Sequence, residues 1–131
     1  MKDEDREALG FEGAKILLHR LRDYQNKGKH PTITYGEMAE KLGSSKDFSR
    51  VVDSCFGKVD EISKDQLKCI FTTLIVNADT GMSGPGYYSW HFSHVKNRDE
   101  IQIWNEEFNK IINGNIDWDS VDEELFNPIN R

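Results

Sequence analysis

Apolar residues recur at three- and four-residue spacing through Phe11, Ala14, Leu17, Leu18, Leu21 and Tyr24, and the pattern stops at Asn26, Lys27 and Gly28. That periodicity with a closing glycine predicts a first helix. After Pro31, the segment TITYGEMAEKLG offers Thr34 as a cap with Glu37 three residues on, Met38, Ala39 and Leu42 as an inner face, and Gly43 as the stop. A short second helix of about two turns is expected there. Ser44 then opens a segment in which Phe48, Val51, Val52, Cys55, Phe56, Val59 and Ile62 follow at three and four, the clearest helical pattern in the chain. Short helix, glycine turn and longer helix together make a helix-turn-helix unit.

The pattern then changes period. CIFTTLIVN is β-branched and apolar, ADTGMSGPG is rich in turn residues, and YYSWHFSHV is aromatic with partial alternation, so a β-hairpin is expected over these segments. Ile101, Trp104, Phe108, Ile111 and Ile112 predict a last helix ending at Asn113 and Gly114, beyond which NIDWDSVDEELFNPINR is acidic with scattered aromatics. The order predicts an α+β protein with a winged helix-turn-helix core. Three N-terminal helices and a hairpin wing form it, joined by an additional C-terminal helix. Residues 1–114 would be the domain and 115–131 an acidic tail docked on it.

The chain of 131 residues is sized for one domain, and its 37% hydrophobic content suffices for one core. It has no run of the roughly 20 apolar residues that a membrane span needs, and the charged start MKDEDREALG lacks the apolar stretch of a secretory signal. Cys55 and Cys69 sit in apolar contexts without CxxC spacing and read as buried free thiols, which together with the rest points to the cytoplasm.

A net charge of −6 argues against a nucleic-acid partner until its distribution is considered. Residues 14–69 hold eleven Lys or Arg against eight Asp or Glu, whereas residues 98–131 hold three against nine. A basic middle and acidic ends leave two classes open, a DNA-binding protein and an acidic protein-binding module. The tail could also lie over the basic middle and mask it.

TITYGEMAEKLG resembles the segment TYGxIA of the C-terminal winged-helix domain in the alkylguanine-DNA alkyltransferase family, and the order of parts continues over about residues 30–90. Arg50, Val51, Val52 and Asp53 stand where that family has RAVG, so Arg50 takes the place of the arginine finger and Asp53 that of the glycine. FTTLIV stands for PCHRVV, followed by DTGMSGPGYY for the glycine-bearing loop. Thr72 then replaces the alkyl-accepting cysteine and Thr73 its histidine partner, and a threonine without that partner lacks the reactive thiolate. The resemblance therefore implies a protein of the alkyltransferase-like kind, which binds DNA without repairing it.

The DNA-contacting candidates under this resemblance are Tyr35, Lys46, Arg50, Thr72, Gly84, Gly86 and Tyr87. Each also has an ordinary structural explanation: a core tyrosine, a snorkelling arginine, a glycine that reverses the chain. Lys46, Arg50, Lys58 and Lys64 alternate with Asp47, Asp53, Asp60 and Glu61, the pattern of a solvated face. His91 and His94 lack a carboxylate or cysteine cluster, so no metal is expected, nor any small-molecule cofactor. The rival expectation is an inhibitor or immunity protein, of the phage anti-defence or toxin-neutralising type, which docks through its acidic tail and aromatic segment. Alkyl transfer through Cys69 would require that thiol to be exposed.

Overall fold

The computed structural model describes residues 3–43 and 52–127. The first helix, α1, runs Asp3–Lys27 and buries Phe11, Ala14, Leu17, Leu18 and Leu21 along one face. Two glycines let that face approach the next layer closely. A Cβ on Gly10 would sit 1.9 Å from the Cys55 carbonyl oxygen, and one on Gly13 would sit 2.4 Å from the Phe56 ring. A two-residue strand β1, Ile33–Thr34, leads directly into α2, Tyr35–Lys41. Thr34 and Glu37 form the full capping box, each side chain accepting the other's backbone N–H, so the chain enters this helix at a fixed angle.

The continuous third helix expected from Ser44 to Ile62 is not what forms. Residues 44–51 lie outside the described residues, Val52–Cys55 is a single 3-10 turn, and α3 begins only at Gly57 and runs to Leu67. The break falls at Phe56, whose backbone leaves the helical region (φ −103°, ψ 8°) at the place where α1 presses against Cys55 and Phe56 through Gly10 and Gly13. Tertiary packing has overridden the local period. Val59 and Ile62 still face the core.

The hairpin wing is also corrected. Phe71–Leu74 is a 3-10 turn, Ile75–Val76 is a short strand β2, and Pro85–His91 is a helix, α4, with Pro85 in its first turn. Strand β2 pairs in parallel with β1, Ile33 opposite Ile75 and Thr34 opposite Val76. The aromatic segment obeys helical spacing: Tyr87 and His91, four apart, meet with ring centroids 5.3 Å apart, and Tyr87 and Tyr88 are both buried. Asp99 caps α5, Glu100–Ile112, as its periodicity predicted. The described residues are thus mostly helical around a two-stranded parallel sheet, an α+β arrangement, and none of their helices is long and apolar enough to cross a membrane.

The main core lies between α1, α2, α3 and the 3-10 turns, and a second cluster of Ile70, Val76, Tyr87, Tyr88 and Trp104 joins α4 and α5 to β2. The acidic stretch closes the main core. Trp118 and Phe126, on two 3-10 turns, are buried against Phe71 with ring centroids 5.9 and 4.9 Å from it. Arg22 of α1 donates to the carbonyls of Trp118 (3.0 Å) and Val121 (2.6 Å) and pairs with Glu123 (2.7 Å), while Gln25 and Asn26 hold Asp117 and Asp119. These contacts place residues 117–126 on the C-terminal half of α1, within the basic middle. His19 and Arg22 there hold the Glu123 carboxyl below its ordinary range.

Candidate functional site

Tyr35 opens α2, and the capping box before it fixes where its ring points. Parallel pairing of β1 with β2 then carries this helix start to Val76, whose chain continues through the Asn77–Met82 turn to Gly84, the residue before α4. The Tyr35 hydroxyl bridges what has been brought together. It accepts the Gly84 backbone N–H at 2.9 Å and donates to Asp53 Oδ2 at 3.2 Å. Burial, and next the Asp53 charge, raise the tyrosine pKa, so the phenol stays a neutral donor.

Burial lifts the Asp53 carboxyl to about 6, with the Asp60 charge adding to the rise and the Tyr35 hydrogen bond and His91 opposing it. The Tyr35 hydroxyl occupies Oδ2, whereas Oδ1 is shut from solvent and has no hydrogen-bond donor among the described residues. Gly86 packs close against this carboxylate, and a Cβ there would stand 3.3 Å from Oδ2, a tight contact. Around it opens a cleft of about 880 Å³, bordered by Arg6, Tyr35, Asp53, Val76, Pro85 and Trp90. Trp90, on α4, stands at its edge with 73% of its surface exposed.

Seven residues along from Asp53, a second carboxylate has the opposite surroundings. Asp60 Oδ1 accepts the Thr72 backbone N–H at 3.0 Å, and Oδ2 accepts the Thr72 hydroxyl at 2.6 Å and meets His91 Nε2 at 3.0 Å. The Asp60 and His91 side chains are 5% and 3% exposed, so this network is sealed. His91 Nδ1 is buried without a hydrogen-bond partner among the described residues.

Of the residues singled out in the sequence, Tyr35, Gly84 and Gly86 converge on the cleft. Thr72 does not: it is buried and its hydroxyl is committed to Asp60. Tyr87 is also buried, its hydroxyl 2.8 Å from Thr73 Oγ1, and so offers no contact surface. Lys46 and Arg50 lie outside the described residues. Cys69 is 2% exposed and its thiol is pushed up to about 12 by burial, with nearby Asp60 and Glu107 adding, so the exposed thiol that alkyl transfer would need is absent. Among the described residues no group of three His, Cys, Asp or Glu is placed to hold a metal ion.

Sequence reasoning passed over Asp53 and Trp90 as members of the site. The signal for Asp53 was a carboxylate beside Val52 and Cys55, both core residues, but its partners Tyr35 and Gly86 are distant in sequence. Trp90 was one aromatic in a run, and only the helix that turns Tyr87 and Tyr88 inward leaves it outside. No known protein family, curated protein or solved structure matches the chain.

Proposed function

We propose that this is a non-catalytic DNA-binding protein of the alkyltransferase-like kind, built on a winged-helix-derived core, which receives an extruded base in the cleft beside Tyr35. The observation that carries the reading is the convergence of Tyr35, Gly84 and Gly86, three residues named by the family resemblance, on one cleft of about 880 Å³. A mostly apolar cleft with an exposed indole at its edge suits a base taken out of its stack, because aromatic rings supply a stacking face for any base. The non-catalytic part is supported by the state of the possible nucleophiles: Thr72 Oγ1 donates to a carboxylate, and the Cys69 thiol is buried and protonated at neutral pH.

The test is fluorescence anisotropy of a labelled duplex, with and without one alkylated guanine, at low and moderate salt. Wild type should bind with an affinity that falls steeply as salt rises, and Arg50→Ala and Trp90→Ala should weaken it at least several-fold. Absence of binding at low salt overturns the reading.

A second reading, a protein-binding inhibitor or immunity module, draws on one observation. Trp90 also borders a neighbouring depression whose rim carries Arg6, Glu7, Lys58 and Glu61, and an exposed indole ringed by mixed charge is the usual make-up of an interface anchor. The acidic stretch is less free to serve as that interface, since Asp117, Asp119 and Glu123 are engaged by α1. Binding to a protein partner would lose little affinity to salt compared with DNA and would depend on Trp90 rather than on Arg50.

A further inference from the structure

The cleft is larger than a bare base requires. Its volume of about 880 Å³ lies toward the upper end of the roughly 300–1,000 Å³ spanned by sites that enclose drug-sized ligands, which leaves room for a substituent. What that substituent must supply follows from Asp53. Oδ1 is closed to water and hence to a ligand hydroxyl, so Oδ2 is the oxygen left to a ligand: among the described residues it has one donor, the Tyr35 hydroxyl, and it keeps a second lone pair. Tyr35 cannot help further, because its oxygen is already engaged by Gly84 and its proton by Asp53. An alkyl group packed into the cleft would strip the remaining water from the carboxylate and replace it with nothing, the costly way to leave a polar group.

Charge decides which donor. Arg6 borders the same cleft as Asp53, so an ammonium or guanidinium substituent gains from the carboxylate and loses to the arginine, and a phosphate meets the reverse. A neutral hydroxyl escapes both penalties, since it donates to Asp53 while its oxygen accepts from Arg6 or from the Asn77 amide, which also borders the cleft. Trp90, Pro85 and Val76 offer apolar surface for the C–H faces of a ring that carries such hydroxyls.

We infer that the base this cleft takes carries a neutral hydroxyl-bearing substituent, of the class of a hydroxyalkyl group or a sugar joined to the base, whose O–H is received by Asp53. The inference rests on the reading of the cleft as a base-binding site. It separates from that reading on one point, which is that a hydroxyl is preferred to an alkyl group of equal size.

The experiment uses the full chain and four labelled duplexes identical except at one central cytosine: unmodified, 5-ethyl, 5-hydroxymethyl and 5-glucosyloxymethyl. The ethyl and hydroxymethyl groups have the same number of heavy atoms, so size is held constant between them. Anisotropy should give tenfold or tighter binding of the hydroxymethyl or glucosylated duplex relative to the ethyl one, with quenching of indole fluorescence that is lost in Trp90→Phe. Asp53→Asn and Asp53→Ala, each checked for folding by circular dichroism, should reduce that preference to less than threefold. Equal or tighter binding of the ethyl or unmodified duplex overturns the inference and leaves the DNA reading standing. A hydroxyl preference that survives in both Asp53 variants overturns the role assigned to Asp53, and failure to bind any of the four duplexes overturns the inference together with the reading beneath it.

Discussion

Asp53 and Asp60 are carboxylates seven residues apart, both withdrawn from water, and they differ in how many donors reach them. Asp60 is met by the Thr72 N–H, the Thr72 hydroxyl and His91, and is closed over; among the described residues Asp53 is met by Tyr35 alone, and it borders an open cleft. The first arrangement ties α3, the Phe71–Leu74 turn and α4 into one unit. The second leaves acceptor capacity unused beside an exposed indole, which is what a scaffold does not need and a binding site does. Removing each carboxylate should therefore have opposite consequences.

The largest effect is expected at Asp60. Asp60→Ala strands the buried Thr72 N–H and hydroxyl and leaves the buried His91 side chain without its Asp60 partner, so urea or thermal unfolding should register a loss of about 3–5 kcal/mol. A loss under about 1 kcal/mol would mean that Asp60 is no more structural than Asp53 and would erase the contrast.

Asp53→Asn should move stability the other way. Because the folded protein holds the Asp53 proton up to about pH 6 and the unfolded chain releases it near pH 3.8, folding binds a proton between those values, and wild-type stability falls as pH rises through that window. The displacement corresponds to a penalty of up to about 3 kcal/mol at neutral pH, which the neutral amide does not incur. Asp53→Asn should be more stable than wild type at pH 7 and indistinguishable from it below pH 4. A stability difference that does not change with pH would place Asp53 with Asp60.

How much of this was legible follows from the range over which each interaction acts. Helices α1 and α5 and the Thr34–Glu37 box are local, and spacing alone predicted them. The aromatic segment was misread because composition was weighed above position: Tyr87, Tyr88, His91 and Phe92 fit a helix, and Pro85 marks its first turn, but a run of aromatics also favours a strand. The break at Phe56 came from contacts with Gly10 and Gly13 some forty residues earlier, which no window along the chain contains. The site divides in the same way. Tyr35 and the glycines were visible through a motif, whereas Asp53 became part of the site only when folding delivered Tyr35 and Gly86 to it.

Tyr35→Phe sharpens the comparison at a smaller scale. It removes the acceptor of the Gly84 N–H and the one donor to Asp53 among the described residues, so a cost of about 1–2 kcal/mol is expected near neutral pH. With that donor gone the Asp53 carboxyl should titrate above 6, making the cost greater at pH 7 than at pH 4, where the carboxyl is protonated in either protein. Equal costs at both pH values would show that Tyr35 serves the start of α4 and not the carboxylate.

The smallest effect on folding is expected at Trp90, and that is its value. An indole with 73% of its surface in solvent contributes little to the core, so Trp90→Ala should change the unfolding free energy by no more than about 0.5 kcal/mol. Tyr87, three residues earlier on the same helix and 2% exposed, provides the control: Tyr87→Ala should cost several kcal/mol through lost packing and the lost bond to Thr73. If Trp90→Ala is as damaging as Tyr87→Ala, Trp90 belongs to the scaffold and the cleft loses its stacking face. If Trp90→Ala folds like wild type and fails only in binding, α4 divides its aromatic residues between core and ligand.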